Sequence, residues 1–369
     1  MEHTFTATIK SVLGKHFKSH AEEIFEKSLL VQYINEKTRS AGKGSKARSS
    51  FANLYAIYVV VEDYLIKGFD TKLDYSRYEG AEFSNLFTRQ RELPFGSKLQ
   101  THALNNRLNA EFQKYFPNAE YIPIIRNLET NRYWINENLL KINVGKTSFS
   151  IAATVIEIID EYMRTKQGAF DRFVATCSEL QQIGNESTEK VQDFISSLLA
   201  PDVDARLFEI VSYSILKYYY HDQEIFWGFD RTKLTQESLK LYKTGRTNAN
   251  DGGIDFVMRP LGRFFQVTES LDFKKYFLDI DKIKKYPITF VIKSEDSIDQ
   301  LKNRIQDNAN KTYSIKTVVE KYMSCIEEVI NIPELNDRFG EAVKQGYLNH
   351  ILDEIVVQSK VEFNYQERR

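Results

Sequence analysis

Residues 246–270, R-T-N-A-N-D-G-G-I-D-F-V-M-R-P-L-G-R-F-F-Q-V-T-E-S, constrain the fold of this chain more than any other stretch. A loop rich in Asn, Asp and Gly runs into Ile254-Asp255-Phe256-Val257-Met258. After Pro260-Leu261-Gly262 the chain continues as Arg263-Phe264-Phe265-Gln266-Val267-Thr268-Glu269. Pro and Gly between two runs of β-branched and aromatic residues predict a β-hairpin. Side chains alternate across a strand, so Asp255 shares a face with Val257, and Gln266 shares one with Thr268. The aspartate then faces the polar pair of the partner strand, and such a cluster of oxygen ligands suits a hard divalent cation such as Mg2+. An ordinary surface hairpin with a glycine-rich turn gives the same pattern.

The flanks add an order of elements. Residues 204–220, D-A-R-L-F-E-I-V-S-Y-S-I-L-K-Y-Y-Y, predict an amphipathic helix with Leu207, Ile210, Val211, Ser214, Ile215 and Tyr218 near one face. Glu209 interrupts its apolar surroundings. Residues 224–229, E-I-F-W-G-F, predict a strand. Beyond the hairpin a helix is expected over 273–286 and a buried strand over 287–292, P-I-T-F-V-I.

The hairpin resembles the active-site hairpin of the PD-(D/E)XK nuclease superfamily, to which most type II restriction endonucleases belong. The order helix, strand, strand, strand, helix, strand is similar to the core of that family. The resemblance implies an α/β (α+β) fold: a mixed-sheet, restriction-endonuclease-like core flanked by helices, with a mainly helical N-terminal half. Asp255 stands at the family's metal-binding aspartate, Gln266 at the second ligand of one variant of the motif, and Glu209 at the helix-borne glutamate. The resemblance therefore implies Mg2+ held by Asp255, Glu209 and Gln266. The departure is Thr268, which occupies the place of the family's lysine. Lys274 or Lys275 on the next helix could replace that lysine, or Glu269 could enter the site and make it more acidic.

Two other stretches carry candidate DNA contacts. Residues 37–48, K-T-R-S-A-G-K-G-S-K-A-R, hold five basic residues and no acid, and Ser49 or Ser50 is expected to cap a helix over 51–66. Such a loop ahead of a helix N-terminus suits phosphate, with Lys43, Lys46 and Arg48 as its cations, although a solvated loop reads the same way. Residues 87–107 crowd together Arg89, Gln90, Arg91, Asn106 and Arg107. Arg pairs bidentately with guanine, and Asn or Gln with adenine. There the Leu93-Pro94-Phe95-Gly96 turn is expected to separate a loop from a helix starting near Ser97. Residues 231–250 read as a long connection carrying Lys243 and Arg246, placed to lie along DNA or to be a plain insertion.

The remaining stretches carry no chemistry of their own, and those over 151–199 read as scaffold. Residues 1–35 read as helical, 121–125 and 133–135 as short strands, and 151–199 as helices broken at Gly168 and Gly184-Asn185. Val144-Gly145-Lys146-Thr147 lacks the leading glycine of a phosphate loop, since Leu140 occupies that place, so nucleotide binding is not expected there. His16 and His20 stand at helical spacing with no third ligand. The organisation expected is a DNA-recognition region over 1–150, a helical scaffold over 151–200, the nuclease core over 201–295 and a helical region over 296–369.

Composition sets outer bounds. The 50 Lys and Arg balance 51 Asp and Glu, so any DNA contact must come from local patches. Cys177 and Cys325 support neither a disulfide framework nor a zinc site. No signal peptide or membrane span is apparent, and a cytoplasmic protein is expected. Three function classes remain: a Mg2+-dependent type II restriction endonuclease, a cleavage-inactive DNA-binding or repair protein on the same fold, and an interaction protein. The first implies double-stranded DNA as partner, a homodimer to read a palindromic site, and a functional pairing with a DNA methyltransferase.

Overall fold

A computed structural model of the chain describes residues 2–39, 47–71, 74–97, 99–183, 188–244, 254–269 and 273–363. They form two compact units, Met1–Phe173 and Val174–Tyr365, and the boundary falls within one long helix. The fold is mixed α/β, with helices predominating and with both antiparallel and mixed sheets. No helix among the described residues is long and apolar enough to cross a membrane.

The first unit opens with helices α1 (Thr6–Phe17), α2 (Ala21–Lys27), α3 (Leu29–Thr38) and α4 (Ala47–Ile66). Strand β1 (Ala81–Glu82) leads into α5 (Phe83–Glu92), followed by α6 (Leu108–Tyr115). Strands β2 (Ile124–Asn127) and β3 (Arg132–Ile135) complete a small antiparallel sheet with β1. A second hairpin, β4 (Lys141–Val144) and β5 (Thr147–Ser150), precedes α7 (Ala152–Ile183). Helix α4 is the centre of this unit. Leu54, Tyr55, Ala56, Ile57, Val59, Val60 and Val61 are all buried, which is the reading of a helix apolar on nearly every side.

Three expectations for this unit are corrected. Helix α4 begins at Ala47, so Ser49 and Ser50 lie inside it and neither caps it. Among the described residues no helix starts near Ser97. Instead α5 precedes the turn, Phe95 within the turn adopts a positive φ of 64°, and helical structure resumes only at Ala103. Helix α7 runs through Gly168 unbroken, because its buried stripe (Val155, Ile158, Ile159, Tyr162, Phe170, Val174, Cys177) continues past the glycine. The 144–147 segment is the turn of the β4–β5 hairpin, with Gly145 at φ +59°.

The second unit is built on a five-stranded mixed sheet. After α8 (Thr188–Ser197) and α9 (Ala205–Tyr219) come β6 (Glu224–Trp227), β7 (Thr235–Ser238), β8 (Lys240–Lys243), β9 (Phe256–Arg259) and β10 (Arg263–Thr268). Then follow α10 (Phe273–Lys282), β11 (Ile288–Ile292), α11 (Ile298–Thr312), α12 (Lys316–Met323), β12 (Ile326–Ile330), α13 (Ile332–Lys344) and α14 (Leu348–Phe363). The sheet order is β12-β11-β10-β9-β8. Strands β10, β11 and β12 are parallel, and β8, β9 and β10 antiparallel.

The expected hairpin is β9–β10, with Gly262 in its turn at φ +67°, a conformation that a side chain would strain. Strand β11 is buried along its whole length, as a central strand covered on both faces must be. Helices α10 and α11 supply Tyr276, Phe277, Ile280, Leu301 and Ile305 to one core with Phe290 and Ile292. Helix α9 packs against β8, α13 and α14.

The element order differs from expectation in one respect. Among the described residues strand β6 pairs only with β7, as a separate two-stranded ribbon, and the first strand of the central sheet is β8. Residues 231–250 are therefore no simple connection, because they contain β7 and β8. The burial pattern explains the division. Leu239 and Leu241 are buried, whereas Phe226 and Trp227 of the ribbon, and Phe229 in the turn between its strands, are exposed. The region after residue 296, expected to be helical, also contributes the edge strand β12.

Candidate active site

Asp255 immediately precedes β9 and is fixed by the sheet on both sides. Its N–H donates to the Phe265 carbonyl (2.9 Å), and its own carbonyl accepts from the Thr244 N–H (2.9 Å). The side chain turns inward, where Oδ2 accepts from the Val267 N–H at 2.7 Å. Across the hairpin, β10 ends with Gln266, Val267 and Thr268. The sequence pattern thus brings Asp255 to the C-terminal end of β10, where ligand sites in open α/β sheets usually lie.

Glu209 reaches the same place from α9. Asp204 caps that helix by accepting from the Arg206 N–H at 2.8 Å. The helix is buried continuously from Phe208 to Leu216, so Glu209 is only 7% exposed. Lys243 at the end of β8 lies 3.3 Å from Glu209 Oε1. Asp255, Glu209, Gln266, Thr268, Glu269, Lys275, Ala205 and Arg206 line one cleft of about 410 Å³. Of the catalytic candidates read from the sequence, Glu209, Asp255, Gln266, Thr268, Glu269 and Lys275 meet there, and Lys274, the alternative to Lys275, does not line the cleft.

The electrostatics are those of two acids crowded together. Burial and, after it, the Glu209 charge push the Asp255 carboxyl up to about 7, while the Val267 N–H, Arg206 and Lys243 act in the opposite sense. Burial likewise raises Glu209, against the lowering influence of Lys243 and Arg206. Desolvation disfavours charge, and a second carboxylate adds to that cost. A divalent cation bound by both carboxylates would offset both penalties.

The donor set fits such an ion. The Gln266 amide nitrogen donates to the Val267 carbonyl at 3.2 Å, while its Oε1 is buried with no hydrogen-bond partner. A buried acceptor left empty calls for an explanation. Beside two carboxylates, an oxygen ligand for Mg2+ supplies one. Among the described residues no group of three or more His, Cys, Asp or Glu side chains is placed to hold a metal. In this cleft the third donor is an amide.

The position of Thr268 has a cation after all. Lys275, in the first turn of α10, places Nζ 3.2 Å from Thr268 Oγ1. Glu269 lines the cleft but is held by Lys293, whose Nζ lies 2.7 Å from Glu269 Oε1 and also donates to the Val203 carbonyl. The Lys293 side chain is 2% exposed and follows directly on β11, with its N–H bonded to the Thr268 carbonyl. Sequence reasoning passed over Lys293, although a lysine at the end of an apolar strand is the available signal. It also passed over Arg206, three residues before Glu209 and hence on the same helix face.

The DNA-contact candidates fare unevenly. Arg89 makes two 2.8 Å bonds to Glu62, and Arg91 donates to the Ser97 carbonyl at 2.7 Å. Asn106 and Arg107 are exposed. Gln90 is corrected: it is fully buried, with Nε2 on the Ala52 carbonyl at 3.0 Å, and cannot reach a base edge. A helix α5 packed on α4 turns that face inward. Lys243 lies beside Glu209 rather than along a surface loop. Lys43, Lys46 and Arg246 lie outside the described residues, as do the Arg48 side chain and Gly252-Gly253.

Compared with protein-family models, curated proteins and solved structures, the chain matches none.

Proposed function

We propose that the second unit is the catalytic part of a divalent-cation-dependent endonuclease of the PD-(D/E)XK kind, a type II restriction enzyme hydrolysing duplex DNA at a short specific sequence. The observation that carries this reading is the convergence of Asp255, Glu209 and the unpartnered Gln266 Oε1 in one cleft. Asp255, Glu209 and Gln266 would hold Mg2+, which when bound supplies charge stabilisation at the reacting phosphate and activation of water. The chain's own residues do the rest. Val267 N–H fixes one oxygen of Asp255 and so sets the direction of the other. Lys275, anchored on the Thr268 hydroxyl, places a positive charge where the family carries its lysine, orienting the water and balancing developing negative charge. Lys293 neutralises Glu269 and leaves the cleft with a single acid pair.

Thr268 in place of lysine favours the second reading, a DNA-binding protein without cleavage. The approach of Lys275 to that threonine supports the first. A homodimer would place one such cleft on each strand of a palindrome, and sedimentation showing only monomer with and without DNA would contradict it. Partnership with a DNA methyltransferase and a cytoplasmic location belong to the same proposal. Plasmid DNA incubated with the protein and Mg2+ should give discrete fragments, and Asp255→Ala should give none. Uncut plasmid with the native protein, under conditions where it binds DNA, selects the inactive reading.

A further inference from the structure

Arg206 stands at the start of α9, one turn before Glu209, and lines the same cleft. Two carboxylates neighbour it. Its Nη1 is 3.2 Å from Glu362 Oε1 and 3.6 Å from Glu209 Oε2. Neither contact has hydrogen-bond geometry, and Nη1 is buried without a hydrogen-bond partner. An arginine used purely as a structural strut normally places its donors on its carboxylates, as Arg89 does with two bonds to Glu62.

The other cations around the cleft are committed. Lys275 bonds Thr268, Lys293 bonds Glu269, and Lys243 lies against Glu209. Arg206 is the cleft-lining cation with a buried donor left over. Its planar fork matches the oxygens of a phosphate. It also stands in the first turn of a 15-residue helix, where the helix dipole favours an anion.

We propose that Arg206 binds a phosphate group of the nucleic-acid substrate, giving up its loose contacts with Glu209 and Glu362 for hydrogen bonds to non-bridging phosphate oxygens. The proposal rests on the nuclease reading for the identity of the substrate, though the anion site itself does not. Binding a phosphate here also frees the Glu209 carboxylate from one of its two cations at the moment when it is needed as a ligand.

The test is calorimetric binding of thymidine 3′,5′-bisphosphate to the full chain in EDTA, where neither metal nor cleavage contributes. The native protein should bind it, and Arg206→Ala should bind it roughly tenfold to a hundredfold more weakly, the range for a charged hydrogen bond. Arg206→Lys should fall between, because it keeps the charge and loses the fork. Glu362→Gln removes a competing carboxylate and should bind at least as tightly as the native chain. Unchanged affinity in Arg206→Ala, no binding by the native protein, or a loss in Glu362→Gln as large as that in Arg206→Ala would each overturn the proposal. Plasmid cleavage separates the two claims. Cutting with an Arg206-independent bisphosphate affinity removes this inference alone, and Arg206-dependent binding without cutting removes the nuclease reading alone.

Discussion

Replacing Asp255 with Asn should make the metal-free protein more stable, not less, by an amount that grows as the pH rises from about 4 and is complete above about 7. The carboxyl is pushed up to about 7 in the folded chain against an ordinary 3.8, because the surrounding protein desolvates it and Glu209 lies beside it. Between those values the native state holds a proton that the unfolded chain has lost. Stability therefore falls as pH rises through this window, and above about pH 7 the full penalty is present. The gap corresponds to at most about 4 kcal/mol. Sharing of the repulsion with Glu209 brings the expected gain to roughly 2–4 kcal/mol. For a unit of this size that is a rise in Tm of roughly 5–15 °C. The asparagine Oδ1 can still accept from the Val267 N–H, so the hairpin keeps its hydrogen bond. The assay is urea unfolding in EDTA at pH 8.5 and again near pH 4, where the advantage should all but vanish. A less stable variant at pH 8.5, or the same difference at both pH values, would refute the reasoning.

Lys275→Met should lower the cleavage rate by roughly a hundredfold or more, the usual effect of losing a charge-stabilising donor, while Lys274→Met should change it little. Equal rates in all three proteins would remove Lys275 from the site, and normal rates there with a dead Glu269→Gln would restore the acidic alternative. Lys293→Ala leaves the Val203 carbonyl and Glu269 without their donor and should cost roughly 1–3 kcal/mol, read from the shift in the urea midpoint. Neutralising Lys43, Lys46 and Arg48 should weaken binding to all DNA sequences alike and flatten the salt dependence by about one per lost phosphate contact. An unchanged slope would assign that loop to solvent.

The hairpin and the helix of Glu209 were legible because each has a local cause. Pro260 and Gly262 punctuate two β-type runs, and Asp204 caps a run of apolar residues at helical spacing. The lysine that reaches Thr268 was legible too, since α10 starts only a few residues beyond β10 and its first turn must lie near that strand's end. What the sequence could not yield was set at long range. Strand β6 has as strong a β pattern as β8, and only the burial of Leu239 and Leu241 decides which joins the sheet. Gln90 looks like a base-reading side chain until α5 packs on α4 and closes over it. Lys243 looks like a DNA contact until β8 places it beside Glu209. Polar residues carry no periodic signal of their own, so their environment appears only with the fold.

The central claim is that Asp255, Glu209 and Gln266 hold one divalent cation. Crystals of the protein soaked in manganese test it through anomalous scattering. A single peak is expected in the cleft, in contact with the carboxylates of Asp255 and Glu209 and with Gln266 Oε1, and it should be lost in Asp255→Ala. A fully soaked crystal with no peak there, or a peak that persists in Asp255→Ala, would contradict it.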